Sequence, residues 1–225
     1  MGDHKFNHSL IMAAGRGIRM MPLTGVIPKA MAPYRGSTII SDGIEKLSRH
    51  INNINITVGY KGGVLSNHVV DLGVSTVFNT ANRGNAWWLY NTLMKYVNEP
   101  VLVLTCDNVV ELDYEELLKS YFEVYNEPAC MLIPVVPIEG LSGDYIFHNN
   151  HKVYKLDRKE KSEIYCSGIQ VLNPHKINLL TTPSEDFYTV WNQLINLGEL
   201  YSSNIYPHKW FSVDTIEQLN NLNAT

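Results

Sequence analysis

Glycines, cations and carboxylates fall in this chain at spacings suited to handling phosphate. Leu10-Ile11-Met12-Ala13-Ala14-Gly15-Arg16-Gly17-Ile18-Arg19 is an apolar run that breaks into a glycine-containing turn. A buried strand ending this way leaves the backbone N–H groups of Ala13, Ala14, Gly15 and Gly17 at a sheet edge, where glycine lets the main chain approach an anion. Arg19 adds a guanidinium that can grip phosphate through two hydrogen bonds, and Lys29 follows as a second cation. Val101-Leu102-Val103-Leu104-Thr105-Cys106-Asp107 is a second apolar run, tipped by a carboxylate. An acid there suits Mg²⁺, which takes carboxylate and phosphate oxygens. Gly59, Asn79 and Asn85 stand at or just after the ends of two further β-like runs, where backbone and amide groups can read a nucleobase. Plainer roles compete with these: a strand-exit turn for Gly15–Gly17 and a cap for Asp107.

Two familiar phosphate loops are excluded. The dinucleotide fingerprint needs glycine at position 20, which is methionine, and no Gly-Lys-Ser/Thr tripeptide exists for a P-loop. The eight histidines show no HxH spacing and a single HxxxH pair, His4 and His8, with no cysteine near it, which argues against zinc, and no Gly-x-Ser-x-Gly elbow supports a hydrolase triad.

The elements that must carry these residues follow from hydrophobic periodicity. Strands are expected at Ser9–Ala14, Ile54–Tyr60, Val74–Asn79 and Val101–Thr105. Helices are expected at Ile39–His50 (Ile40, Ile44 and Leu47 inward), Gly62–Asp71, Asn85–Val97 (carrying Trp88, Leu89, Thr92 and Leu93) and Asp113–Tyr125 (Leu117, Leu118 and Phe122 inward). Strand–helix alternation of this kind predicts a Rossmann-like, doubly wound α/β fold with a mostly parallel sheet. The rhythm then changes. Ala129–Pro137, Tyr145–Asn149, Lys152–Leu156 and Ile164–Leu172 read as strands of an inserted β-hairpin region, followed by helices at Pro174–Leu180, Phe187–Leu197 and Ile216–Leu222. With no internal repeat or linker, the chain reads as a single domain, its α/β core over 9–125 and the remainder over 126–225.

Composition narrows the class. Lys plus Arg is 18 against 22 Asp plus Glu, so the net charge of −4 lacks the basic excess that nucleic-acid binding uses. No apolar run approaches the roughly 20 residues of a membrane helix, and Met1–His8 lacks the apolar stretch of a signal peptide. Cys106, Cys130 and Cys166 are odd in number and lack a CxxC, which reads as reduced thiols in a cytoplasmic protein. Charged residues are 18%, below the roughly 25% of soluble domains, and this favours a homodimer over a monomer.

The string from Met12-Ala13-Ala14-Gly15 through Arg19-Met20-Met21-Pro22-Leu23-Thr24 to Pro28-Lys29-Ala30-Met31-Ala32-Pro33 resembles the signature of the sugar-1-phosphate nucleotidyltransferases (nucleotide-sugar pyrophosphorylases) and their phosphocholine cytidylyltransferase cousins. Ile18 departs from it, since that family has Thr or Ser there. The resemblance implies a GT-A-like nucleotidyltransferase fold, with Arg19 and Lys29 catalytic and Mg²⁺ held by Asp107 and a second acid. Trp210-Phe211-Ser212-Val213-Asp214-Thr215-Ile216-Glu217 is similar to the family's closing segment, which makes Asp214 that second ligand; Ser212 stands where the cytidylyltransferases have an acid. Asp214 also reads as the N-cap of the last helix, with Glu217 completing a capping box, a role compatible with metal binding. Family-like positions for the acceptor are Asp144, Glu160, Lys161, Ser167 and Gly168, although Asp157–Lys161 is also what a solvated hairpin would show.

The implied reaction transfers NMP from an NTP to a sugar 1-phosphate, giving an NDP-sugar and pyrophosphate. Expected partners are therefore an NTP and a phosphorylated small-molecule acceptor, with neither nucleic acid nor membrane. Phosphocholine or another small phosphomonoester is the alternative acceptor, and a non-catalytic nucleotide-sugar-binding regulator is the alternative of another class. Ile18, Ser212 and Cys106 favour the regulator; retention of Arg19, Lys29, Asp107 and Asp214 together opposes it.

Overall fold

The computed structural model describes residues 5–138 and 143–224; Met1–His4, part of the N-terminal stretch read for a leader, lies outside them. The first strand, β1 (His8–Ala13), explains the architecture. Leu10 and Ile11 are both buried but join different hydrophobic cores, one on each face of a sheet. A strand apolar on both sides can only sit in the middle of a covered sheet. The other strands are β2 (Pro33–Tyr34), β3 (Ser37–Thr38), β4 (Asn53–Val58), β5 (Thr76–Asn79), β6 (Val101–Thr105), β7 (Asn108–Glu111), β8 (Cys130–Val135), β9 (Tyr145–Asn149), β10 (Lys152–Asp157), β11 (Tyr165–Leu172), β12 (Leu200–Ser202) and β13 (Lys209–Ser212). The helices are α1 (Leu23–Val26), α2 (Ile39–Ser48), α3 (Gly62–Val70), α4 (Trp87–Asn91), α5 (Tyr114–Glu123), α6 (Pro174–Leu180), α7 (Phe187–Leu197) and α8 (Ile216–Ala224).

Among the described residues nine strands form one sheet in the order β5-β4-β1-β6-β11-β8-β12-β10-β9. The first four are parallel. Beyond β6 the sheet is mixed: β11 runs antiparallel to β6 and β8, β12 is parallel to β8, and the β9–β10 hairpin closes the far edge. This is the Rossmann-like, doubly wound fold with its hairpin insertion. One face is packed by α2, α3 and α5 through Ile44, Leu65 and Leu117, the other by α4, α6 and α7 through Trp88, Ile177 and Val190. The helices start where capping chemistry places them. Thr38, Asp113 and Asp186 accept the N–H of Ser41, Glu116 and Thr189 at 3.1, 2.9 and 2.9 Å.

The stretch expected as one helix over Asn85–Val97 is instead α4 followed by a 3-10 turn at Leu93–Tyr96. Thr92 breaks it with an extended backbone (φ −114°, ψ 178°), its hydroxyl donating to Trp88 O at 2.8 Å and accepting from Met94 N at 3.2 Å. A threonine hydroxyl that satisfies the backbone locally competes with the helical ladder. The break turns Leu93 outward, 71% exposed.

Two strands without a clear signature of their own, β7 and β13, pair antiparallel outside the main sheet, from Asn108 opposite Ser212 to Glu111 opposite Lys209. Beside them lies a third small core of Met20, Ala32, Tyr34, Ile39, Val109, Val213, Leu219 and Leu222. It joins the loop after β1 to the last helix, bringing the two ends of the chain to one place.

Candidate active site

At the C-terminal ends of β1, β4 and β6 opens a cleft of about 990 Å³. Ala14, Gly15, Gly17, Arg19, Lys29, Gly59, Asn85, Asp107 and Asp214 all line it, so the fold brings together most of the residues singled out in the sequence. Arg16, Lys61 and Arg83 line it as well; five cations there face two carboxylates in a chain whose net charge is −4. Such a cavity concentrates polyanions.

Close backbone packing shapes the loop. Gly17 is left-handed (φ 60°), and a Cβ there would stand 2.8 Å from Lys29 Cβ. At Gly59 a Cβ would meet Ala14 O at 2.7 Å, so only glycine lets the end of β4 lie against the loop. Tyr60 completes the join: its N–H donates to Ala14 O at 3.0 Å and its hydroxyl to Thr24 O at 2.9 Å. Arg16 and Lys61 lie over its ring at 5.4 and 5.6 Å.

The two carboxylates converge on one lysine. Lys29 Nζ donates to Asp107 Oδ2 at 2.6 Å and to Asp214 Oδ1 at 2.7 Å, and Arg19 Nη2 is 2.9 Å from the same Asp214 oxygen. Burial pulls the Lys29 pKa down, but the facing carboxylates outweigh it and the net shift is upward. Lys29 is therefore a fixed positive charge. Asp214 is not the cap of α8. Thr215 and Gln218 form the reciprocal box instead: Gln218 N donates to Thr215 Oγ1 at 3.2 Å, and Gln218 Oε1 accepts from Thr215 N at 3.0 Å and Asp214 N at 2.7 Å. Asp214 is left free to present its carboxylate to Lys29 and Arg19. Cys106, beside this cluster, has its thiol pushed up to about 12 by burial and by the Asp107 charge.

A smaller cavity of about 150 Å³ adjoins the cleft and shares Thr105, Asp107 and Asp214 with it. Ser167, Gly168, Asn108, Tyr165 and Trp210 contribute to its wall. Ser167 O accepts from Asn108 Nδ2 at 2.7 Å and Trp210 Nε1 at 3.0 Å, and Gly168 (φ 84°) sits where the β11 register shifts.

Other expected residues lie elsewhere. Ala13 is buried within the sheet, its N–H donating to Thr57 Oγ1 at 3.2 Å. Asn79 lines a separate shallow groove with Trp87, and its side chain accepts from Ala81 N at 3.0 Å. Asp144 pairs with Arg158 at 2.9 Å, Glu160 pairs with Lys155, and Lys161 is exposed; none of the three lines either cavity. Tyr60, Arg16, Arg83 and Trp210 were not singled out as site residues in the sequence. The Thr215-x-x-Gln218 spacing is a legible capping-box signal that identifies the cap of α8.

Residues 8–165 match the nucleotidyl transferase family, and the chain belongs to it. That family is one of nucleotidyl-transferring enzymes. Among curated proteins the chain is 24% identical over 184 residues to the bifunctional protein GlmU of Methanococcus aeolicus, covering 79% of this chain and 43% of that protein; it thus spans less than half of that relative. Two solved structures share the fold. One is a Bacillus anthracis protein described as a glucose-1-phosphate thymidylyltransferase, bound to sucrose, with TM-score 0.80 and 19% identity over 96% of this chain and 94% of that one. The other is the CTP:phosphocholine cytidylyltransferase of Streptococcus pneumoniae, with TM-score 0.77 and 21% identity over 96% and 97%. Among the described residues no helix is long and apolar enough to cross a membrane.

Proposed function

We propose that this protein transfers NMP from an NTP to a sugar 1-phosphate, releasing pyrophosphate and leaving an NDP-sugar. The observation that carries the reading is the convergence of Lys29, Arg19, Asp107 and Asp214 at the junction of a large cation-lined cleft and a smaller cavity. A phosphate oxygen of the acceptor attacks the α-phosphorus, the bond from that phosphorus to the bridging oxygen breaks, and the electron pair leaves with pyrophosphate. No nucleophilic side chain and no proton transfer are required, so catalysis rests on placing charge and holding geometry. In this reading Gly15, Gly17 and Arg19 hold the triphosphate, and Lys29, charged at every physiological pH, lies between the α-phosphate and the acceptor phosphate.

Mg²⁺ is the proposed cofactor. Among the described residues no group of three or more acids, histidines and cysteines is placed to hold a metal ion, but Asp107 and Asp214 each bring an oxygen within 2.7 Å of one point, the Lys29 Nζ. Two carboxylates completed by substrate phosphates are a donor set that suits Mg²⁺, and the ion would neutralise triphosphate charge. The solved structure described as a glucose-1-phosphate thymidylyltransferase, together with the resemblance of Met12–Pro33 to the sugar-1-phosphate nucleotidyltransferase signature, supports a sugar acceptor at the smaller cavity, with Ser167 and Gly168 in its wall. One observation favours a second acceptor, phosphocholine: Tyr165 and Trp210 stand edge to face at 6.0 Å in that cavity, and aromatic faces attract quaternary ammonium groups.

The test is Mg²⁺-dependent pyrophosphate release from CTP, UTP, GTP, dTTP and ATP, each against pooled sugar 1-phosphates and, separately, phosphocholine. Release with the sugar pool, abolished in Asp107→Asn, is the expected result. Release with phosphocholine alone replaces the acceptor. Nucleotide binding without turnover in any well points to a binding regulator.

A further inference from the structure

The loop between β5 and α4 lines the nucleotide cleft with Thr80, Ala81, Asn82, Arg83, Gly84 and Asn85. Its position follows from strand order. β5 lies three strands from β6, so at about 4.8 Å per strand the loop is roughly 14 Å from the carboxylate at the β6 tip. If the triphosphate sits over β1 and β6, this loop faces the nucleoside end.

Little within the loop fixes that position. It makes a turn of its own, with Arg83 N donating to Thr80 O at 3.1 Å and Asn82 left-handed at φ 61°. Its first residues are tied to the strands, with Thr80 N donating to Val58 O at 2.8 Å and Ala81 N to Asn79 Oδ1 at 3.0 Å, whereas its far half is held by the segment that precedes α7, about a hundred residues away in sequence. Gly84 N donates to Glu185 Oε2 at 2.7 Å, Ala86 N to Glu185 O at 3.1 Å, and Phe187 N to Asn85 Oδ1 at 3.0 Å. Arg83 Nη1 lies 3.8 Å from Glu185 Oε1. The fit is tight enough that a Cβ at Gly84 would come within 1.9 Å of Glu185 O. Glu185 thus uses one carboxylate oxygen to hold the loop's main chain and the other to face a cation of the cleft. Asn85, lining the cleft, directs its side-chain oxygen to the same segment.

We propose that Glu185 is a positioning residue for the nucleotide, acting through Gly84 and Arg83 and touching neither the reacting atoms nor the acceptor. The proposal rests on the nucleotidyl-transfer reading above. It differs from a merely structural role in what it alters: nucleotide affinity changes while turnover and acceptor affinity do not. Glu185 is itself largely exposed (55% of its side chain) and caps no helix, so its replacement leaves the cores intact.

The experiment compares wild type with Glu185→Ala and Glu185→Gln in two readouts. The first is steady-state kinetics with the preferred nucleotide. The second is titration of NTP without acceptor, followed by intrinsic tryptophan fluorescence, for which Trp88 in the cleft wall is a built-in reporter. Losing one charge-assisted hydrogen bond shifts an equilibrium by about tenfold. Expected for Glu185→Ala is therefore an approximately tenfold rise in nucleotide KM and Kd, with kcat and acceptor KM within about twofold. Glu185→Gln keeps an oxygen for the Gly84 N–H and recovers most of the loss. A Glu185→Ala protein that binds NTP as wild type does overturns the proposal, as does one in which both KM values rise while kcat and the melting temperature fall. Wild type that binds NTP without turning it over refutes the catalytic reading, and the titration still decides the role of Glu185. Wild type that binds no NTP overturns both.

Discussion

At the scale of the residue, the informative fact is that a single ammonium satisfies two carboxylates drawn from distant parts of the chain. Removing it leaves Asp107 and Asp214 facing each other, and removing either carboxylate leaves Lys29 half-partnered. Preorganised charges of this type contribute on the order of 10²–10³ in rate. Lys29→Ala and Asp107→Asn are each expected to lose that much in kcat, measured by pyrophosphate release, and full turnover in both would refute the assignment. The raised Lys29 pKa also has a sign. Its ammonium gains partners on folding, so its contribution to stability is complete below the ordinary value of 10.5 and is lost as pH rises through the higher folded value. Urea midpoints should therefore show no loss attributable to Lys29 between pH 7 and 9.5, and a loss above about 10.5 that Lys29→Met lacks. Cys106 lies beside the same cluster, yet its thiol is held up to about 12, mainly by burial. Cys106 lines the cleft and is only half-buried, but the raised pKa keeps its thiolate scarce near neutral pH. Iodoacetamide at pH 7.5 should leave Cys106 unmodified in the native protein, as read by peptide mass mapping, and modify it after denaturation.

At the scale of the element, β11 and its glycine set the wall of the smaller cavity. Gly168 adopts φ 84° at the register shift, with Thr105 Oγ1 and Asn108 Nδ2 only 2.9 and 3.0 Å from where a Cβ would stand. Strained backbone of that kind costs about 1–3 kcal/mol per residue. Gly168→Ala should lower stability by at least that amount in urea unfolding, and it should raise the KM for the acceptor more than that for the nucleotide. The elements also show how far local pattern reaches. β1, β4, β6 and α2 were legible because each is long enough for its apolar spacing to stand out. β7 and β13 were not legible: each is four residues long, and each exists because the other pairs with it. Thr92 is a third case, since its hydroxyl ends α4 by a local hydrogen bond that an apolar spacing through Leu93 conceals.

At the scale of the whole molecule, the small third core decides whether the site exists. Met20 from the glycine-loop segment, Val109 beside Asp107, and Val213, Leu219 and Leu222 around Asp214 are buried together. The core therefore carries both cations and both carboxylates into register. Leu222 is 2% exposed on the last helix. Leu222→Ala should cost about 2–5 kcal/mol of stability, seen in denaturant midpoint. Where the protein remains folded, turnover should drop although no catalytic group has been changed. The low charged fraction leads to the further expectation of a homodimer, which light scattering in solution tests directly.

The sequence by itself determined the β1 loop, the two cations, the acid at the tip of β6 and the alternation that builds a doubly wound sheet. Those features are local, and their residue types carry the physics on a few consecutive positions. Only the tertiary structure decided that Asp214 faces Lys29 rather than capping α8, because the cap depends on which side chain reaches back, and Gln218 does so. It also decided that Asn79, Asp144, Glu160 and Lys161 line neither cavity, while Arg83 and Tyr165, from two separate parts of the chain, do. Contacts between segments separated by some 80 to 190 residues are set by how the cores pack, and core packing leaves no signature in spacing along the chain.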